Sequence, residues 1–233
     1  GTGLRLDRCE LKGRRFDVRY ADRCDAVDEG EVNIGIAVVL NDLALAVEAS
    51  DPARADTLMA EAAALHTRLL GEENPTTLTI LNNRAGLLRD QDRYREAEPL
   101  YRRVLQVRRE SLSEDAVQIA YSLHGLGWVL AETERPGEAE PHLREMLRIL
   151  ESEGDDLGSV RYRVGRNTLG RTLSLLGRQE EATRLLEESW PWVLEAAPDS
   201  PLMRTFGTRL SAHYASMGRH EEAAQVRAVA GGS

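Results

Sequence analysis

Residues Arg93–Leu105 read "RYREAEPLYRRVL", and residues Arg135–Leu147 read "RPGEAEPHLREML". Placing Ala97 on Ala139 gives a shift of 42 residues. Repeats of about twenty to fifty residues point to stacked arrays in which each copy is one supersecondary unit. Carried onward to within a residue, in steps of 43 and then 41, the shift brings "GRQEEATRLL" from Gly177 and "GRHEEAAQV" from Gly218 into register, with Ala182 and Ala223 in the place of Ala97 and Ala139. Carried backward from Ala97 it lands on Ala55 in "DPARADTLMAEAAALHTRLLGEENP", a fifth copy that has lost the EAEP letters.

Each copy divides in two. Leu81, Ala85 and Leu88 in one copy, and Leu123, Leu126, Gly127 and Leu130 in the next, follow the spacing of one helix face. A short polar break follows, "RDQDR" or "ETERPG". A second helix then opens, with Ala97, Leu100, Tyr101, Val104 and Leu105 on its apolar side. The longer junctions "GEENPTT", "SLSED", "ESEGDDLGS" and "EAAPDSP" carry residues that stop one helix and cap the next. Ala85, Gly127 and Gly170 on first helices are expected to face Ala97, Ala139 and Ala182 on second helices, because small residues let two backbones approach. Larger side chains there would cost about 1–3 kcal/mol by overpacking.

The stretches "LGEENPTTLTILNNRAGLLRDQDRYREAEPLYRRVLQVRRESL" and "IAYSLHGLGWVLAETERPGEAEPHLREMLRILE" resemble tetratricopeptide repeats, specifically the 42-residue variety of kinesin light chains that also occurs in bacterial multidomain proteins. The resemblance runs from about Gly35 to Ala230. It implies an all-α fold, a right-handed superhelical solenoid of antiparallel helix pairs, with hairpins near 35–71, 77–112, 118–153, 160–196 and 202–230. The departures are Pro136 where an aromatic precedes the box, "GDDLGS" in place of an Asn-Pro junction, and Leu43 and Ala44 where a small pair is expected.

Residues 1–32 do not fit the repeat. Phe16, Tyr20, Cys24 and Val27 recur at nearly one helical turn, which predicts a helical cap on the first hairpin, with a less regular docked segment as the alternative. The apolar run Ile34–Val47 is too short to span a bilayer core of about 30 Å and is interrupted by Asn41 and Asp42. It is read as a buried amphipathic helix.

Composition agrees with long helices: aromatics make up 5% of the chain, and Ala, Leu, Arg and Glu dominate. A net charge of −9 opposes loose binding to nucleic acid or to anionic membranes. Cys9 and Cys24 form neither a CxxC pair nor a dense disulfide framework, which suits a reducing, cytoplasmic compartment.

Catalytic patterns are missing from the sequence. His66, His124, His142, His213 and His220 lack zinc-site spacing, "RYRVGRNTLGR" lacks the strand and Lys of a phosphate loop, and no Ser sits in a GxSxG elbow. Glu96, Glu98, Glu180 and Glu181 recur at helix starts, where carboxylates complement the helix dipole. The expectation is a protein without catalytic residues, metal or cofactor.

Binding is expected on the concave side lined by the first helices. On a helical wheel Tyr121, His124 and Trp128 fall on a face well away from the core stripe. The corresponding positions are Thr79, Asn82, Gly86 and Arg89 before it, and Val164, Asn167, Arg171 and Ser174 after it. Asn82, Asn83 and Asn167 offer a donor and an acceptor to a peptide main chain, Trp128 an aromatic wall, and Arg89 and Arg171 a partner for acidic groups. The family resemblance implies a peptide-contacting Asn at Asn41, Asn83 and, less closely, Asn167; His124 and Gly125 break that pattern. The predicted partner is a protein or peptide segment. The alternative is a structural or self-assembling element that meets other copies through its ends or through Trp190 and Trp192, giving a homo-oligomer.

Overall fold

The computed structural model describes residues 7–11, 14–18, 29–111, 116–152 and 159–231, with side chains from residue 35 onward. Two short strands, β1 (Asp7–Leu11) and β2 (Arg14–Val18), pair antiparallel with Cys9 opposite Phe16. Phe16 is therefore in a strand, not in the helical cap expected there. "DRCEL" and "RRFDV" each alternate polar with apolar residues, and that period of two outweighs the looser spacing from Phe16 to Val27. Tyr20, Cys24 and Val27 lie outside the described residues.

From Glu29 onward every secondary-structure element among the described residues is a helix. Five antiparallel pairs follow in chain order: α1 (Glu29–Val47) with α2 (Pro52–Leu70), α3 (Pro75–Asp90) with α4 (Tyr94–Ser111), α5 (Val117–Glu132) with α6 (Pro136–Ser152), α7 (Val160–Leu175) with α8 (Gln179–Ala196), and α9 (Pro201–Ser216) with α10 (His220–Gly231). This is an all-α, helix-pair repeat, with strands among the described residues confined to the N-terminal hairpin. The chain divides into two compact units, Gly1–Ile80 and Leu81–Ser233.

In the first unit, α1 packs on α2. Asp51 caps α2 by accepting from the Arg54 backbone N–H at 3.1 Å, and Pro52 fills the first helical position, where its missing N–H costs nothing. Ala55, Met59, Ala62, Ala63 and His66 form the buried side of α2. The run Ile34–Val47 differs from expectation. Ala37 and Ala44 are buried, but Val38, Val39, Leu43 and Leu45 are 38–49% exposed, because α2 covers only one side of a helix that is apolar nearly all round.

In the second unit the hairpin turns repeat one device. Asp92, Glu134, Gly177 and Gly218 each take a left-handed φ of 58–77°. The next residue, always Arg, then donates its backbone N–H back into the first helix: Arg93 to Leu88, Arg135 to Leu130, Arg178 to Leu173 and Arg219 to Tyr214, at 2.9–3.0 Å. This is the Schellman closure, which satisfies a carbonyl that the helix end would leave unpaired.

The side chains of those arginines have a second role. Arg135 reaches Glu138 on the helix it precedes at 2.7 Å and Glu98 of the preceding hairpin at 2.9 Å, while Arg102 bridges the same two carboxylates at 2.8 and 3.5 Å. One hairpin later Arg178 and Arg144 close an equivalent ring with Glu140 and Glu181. The glutamates of the EAEP motif thus tie successive hairpins together, in addition to standing at helix starts.

The repeated small residues are packed as tightly as their types suggest. Ala55, Ala85, Ala97, Ala139, Ala182 and Ala223 are fully buried. A Cβ on Gly127 would lie 2.7 Å from Leu143 Cγ and 3.5 Å from the Ala139 carbonyl, and one on Gly170 would lie 2.9 Å from Leu186 Cγ. The group filling the space over each glycine is the Leu one turn beyond the motif's Ala, so the Ala is the floor of the crossing and the Leu its occupant. α5 packs against α7, and α7 against α9, so first helices lie side by side.

Candidate peptide-binding face

Tyr121, His124, Trp128 and Glu132 recur every three or four residues along α5 and so share one stripe. Trp128 is the centre of a cationic cluster. The Arg89 guanidinium from α3 lies 4.7 Å from its ring centre, and that of Arg209 from α9 lies 4.1 Å away. Both distances are within the range of cation–π attraction. His124 meets the same ring edge-on, with centroids 5.8 Å apart. Arg89 is held by a two-pronged pair with Asp90 at 2.8 and 3.1 Å.

Arg209 is 5% exposed. Its Nη1 donates to Asn167 Oδ1 at 3.0 Å and to Thr168 Oγ1 at 3.1 Å, and its Nη2 lies 3.9 Å from the Glu132 carboxylate. Burial, together with the neighbouring Arg171 and Arg89 charges, lowers its pKa to about 10, against the pull of Glu132. Thr168 gives its own proton to the Val164 carbonyl at 2.9 Å. His124 Nε2, 3.3 Å from Thr168 Oγ1, is then assigned as the donor of that contact, in a neutral ring. A neutral ring is what the surroundings dictate: burial, with Arg89 and Arg209 close by, pushes the His124 pKa down to about 3.

The candidates read from the sequence separate into two groups. Asn167 is fully buried, with Nδ2 donating to Ser189 Oγ at 3.1 Å and Oδ1 accepting from Arg209. It has no face left for a peptide main chain, which corrects that expectation. Asn82 accepts from Ser122 Oγ at 3.1 Å, and Ser122 also accepts from the buried Arg108 at 2.9 Å, so this Asn ties α3 to α5. His124 is likewise an internal contact. Trp128 is half-buried under two guanidiniums, so it is not the bare aromatic wall anticipated.

Asn83 and Arg171 are half-buried, and among the described residues neither has a hydrogen bond or an ion pair. Tyr121 is 36% exposed beneath the Arg161 guanidinium at 4.4 Å. Asn41 belongs to the first unit. Its Nδ2 lies 3.4 Å from Asp42 and its Oδ1 is buried without a partner among the described residues.

Arg209, Thr168 and Glu132 escaped the sequence reading. The signal for Arg209 was available: the 42-residue shift that carries Asn41 to Asn83, Gly125 and Asn167 carries Asn167 to Arg209. Trp190 and Trp192 pack at a junction. Trp190 ring carbons would lie 3.2–3.3 Å from a Cβ on Gly207, and Trp192 stacks at a tilt on Phe206, 6.2 Å between centroids. Among the described residues no group of His, Cys, Asp and Glu could hold a metal ion, and no helix is long and apolar enough to cross a membrane.

The tetratricopeptide repeat family profile matches residues 76–152 and again residues 166–190. The chain carries tetratricopeptide repeats. Among solved structures, this TPR chain is similar to the nearly identical TPR-like repeats of a Podosopora anserina protein assigned as a kinesin light chain. The TM-score is 0.65 and the identity 20%, over 84% of this chain and 95% of that one. BtubC (BKLC) of P. vanneervenii follows at a TM-score of 0.55 and 18% identity, over 89% and 94% of the two chains. Aspartyl phosphate phosphatase F of Bacillus subtilis gives 0.63 at 10% identity, over 86% of this chain and 59% of that one. No curated protein sequence matches the TPR chain. At these identities the likeness is one of fold.

Proposed function

We propose that this TPR protein is a non-enzymatic scaffold whose first-helix face binds an extended protein or peptide segment. The observation that carries the reading is the pair Asn83 on α3 and Arg171 on α7, whose polar groups stay half-open while the neighbouring candidates Asn82 and Asn167 are consumed by internal hydrogen bonds. Asn83 supplies a donor and an acceptor to a main chain, and Arg171 a planar donor fork. Partner capture from a native extract by the wild type and by an Asn83→Ala, Arg171→Ala double variant tests it. Specific partners are expected to be lost by the variant; equal retention of all of them rejects this face as their site.

Self-association is the second reading, favoured by the exposed Val38, Val39, Leu43 and Leu45 of α1. Light scattering across concentration decides it: a strict monomer at every concentration eliminates self-assembly, and a dimer abolished by Val39→Glu with Leu43→Glu supports it.

A further inference from the structure

We infer that the turn edge of the last two helix pairs is a second docking surface, separate from the first-helix face, and that it takes a basic segment of a partner protein carrying large apolar side chains.

Two positions change character along the array, and both lie on this edge. The residue that closes the first helix is Gln91 and Thr133 in the second and third pairs, but Leu176 and Met217 in the fourth and fifth. Thr133 turns its hydroxyl back to the Val129 carbonyl at 2.8 Å, whereas Leu176 and Met217 are 37% and 40% exposed, and the exposed Leu175 extends the patch. Two residues before the motif's Ala stand Arg95 and Gly137, then Glu180 and Glu221.

Packing brings these positions together. His213 of α9 sits between Ser174 of α7 and Thr183 of α8, at 2.8 and 2.7 Å, and Thr183 also meets Met217 Sδ at 3.7 Å. The ends of α7 and α9 are thereby fixed side by side around the first turn of α8. There residues 177–181 line a shallow depression of about 450 Å³.

Charge decides the occupant. Arg178 is consumed by Glu140 and Glu181, and Arg219 by Glu187 and Glu222. Glu180 and Glu221 are exposed, and among the described residues neither has a hydrogen bond or an ion pair. Their neighbours Glu181 and Glu222 already complement the helix starts, so that task leaves Glu180 and Glu221 unused. An apolar edge bordered by two unpaired carboxylates favours a cationic segment with apolar anchors. A second copy would bring the same carboxylates against it, and an anionic membrane would add its own negative charge.

The test titrates three fluorescent twelve-residue probes, (Leu-Lys-Lys)4, (Leu-Glu-Glu)4 and (Ser-Lys-Lys)4, into the full chain by anisotropy at moderate salt. The (Leu-Lys-Lys)4 probe is expected to bind about tenfold or more tighter than either of the others, since it alone supplies both anchors and positive charge. Glu180→Gln with Glu221→Gln should weaken it about fivefold or more, while the charge-matched pair Glu61→Gln with Glu195→Gln, exposed elsewhere on the chain, should change it less than about twofold. Leu176→Ser with Met217→Ser should bring it to the level of (Ser-Lys-Lys)4. Binding should persist in the Asn83→Ala, Arg171→Ala variant, so this surface and the first-helix reading stand or fall separately. Equal weakening by the two glutamine pairs, no binding, a preference for (Leu-Glu-Glu)4, or loss with Asn83→Ala, Arg171→Ala overturns the inference. So does a concentration-dependent dimer abolished by Leu176→Ser with Met217→Ser, which would make a second copy the occupant.

Discussion

Gly125 shows how one atom can be forbidden by a neighbour that cannot move. A Cβ there would lie 2.2 Å from the ring of Tyr101, which is 2% exposed and enclosed by the core. Gly125→Ala should lower stability by about 1–3 kcal/mol through overpacking. Gly137, in the first turn of α6, has open space around its Cβ direction, and Gly137→Ala should be neutral or stabilise by up to about 1 kcal/mol. Denaturant midpoints of the two variants check the contrast, and a harmless Gly125→Ala would mean that Tyr101 repacks. The sequence marked Gly125 only as a break in a row of asparagines. Its reason, an aromatic ring from the neighbouring hairpin, is a contact between repeats that neither spacing nor residue type announces.

At the scale of elements, the EAEP echo made the hairpin legible because helix period, polar break and small residues recur together. What stayed hidden was the partner of each charge. Nothing in the spacing of Arg102 announces that it and Arg135 close a ring with Glu98 and Glu138 across two hairpins. Hydrogen bonds from Arg102 and Arg135 hold the Glu98 carboxyl below its ordinary pKa although burial opposes it. Glu98→Gln should lower the thermal midpoint and soften the boundary between the α3/α4 and α5/α6 pairs. Because the ring is partly solvated, most of the loss should vanish near about 1 M salt, where screening reaches about 3 Å. A loss of equal size at both salt concentrations would assign Glu98 a packing role instead. The strands of the N-terminal hairpin were misread for a related reason: in short segments a helical and an alternating pattern overlap, and pairing with a second strand decides between them.

For the whole chain, burial lowers the pKa of His66, His124, His142 and His213. Each then takes up its proton more readily in the unfolded chain, near the ordinary value of 6.5, than in the folded one. The unfolded state therefore binds more protons below that pH, and stability falls as pH falls. For His124 the fall continues to about pH 3, at up to about 1.4 kcal/mol per pH unit. Glu138, Glu181 and Glu222 have pKa values lowered by hydrogen bonds from arginine, and their contribution is also lost in acid, below their ordinary value of 4.5. Denaturation midpoints should thus be highest at neutral pH and above and decline from about pH 6.5 downward, with a shallower decline in His124→Gln. A flat profile between pH 7 and pH 5 would contradict the burial of these rings.

The Trp128 cluster draws Arg89 from the second helix pair, Trp128 from the third, and Arg209 from the fifth, with Asn167 and Thr168 of the fourth holding Arg209 in place. Repeat arrays are often handled as interchangeable bricks, to be trimmed, reordered or replaced by a consensus copy. Here the bricks are interchangeable in shape but not in content. Removing the last pair would leave the backbone of the third intact and yet change the charge presented over its tryptophan, so the smallest portable unit of this surface is four consecutive hairpins.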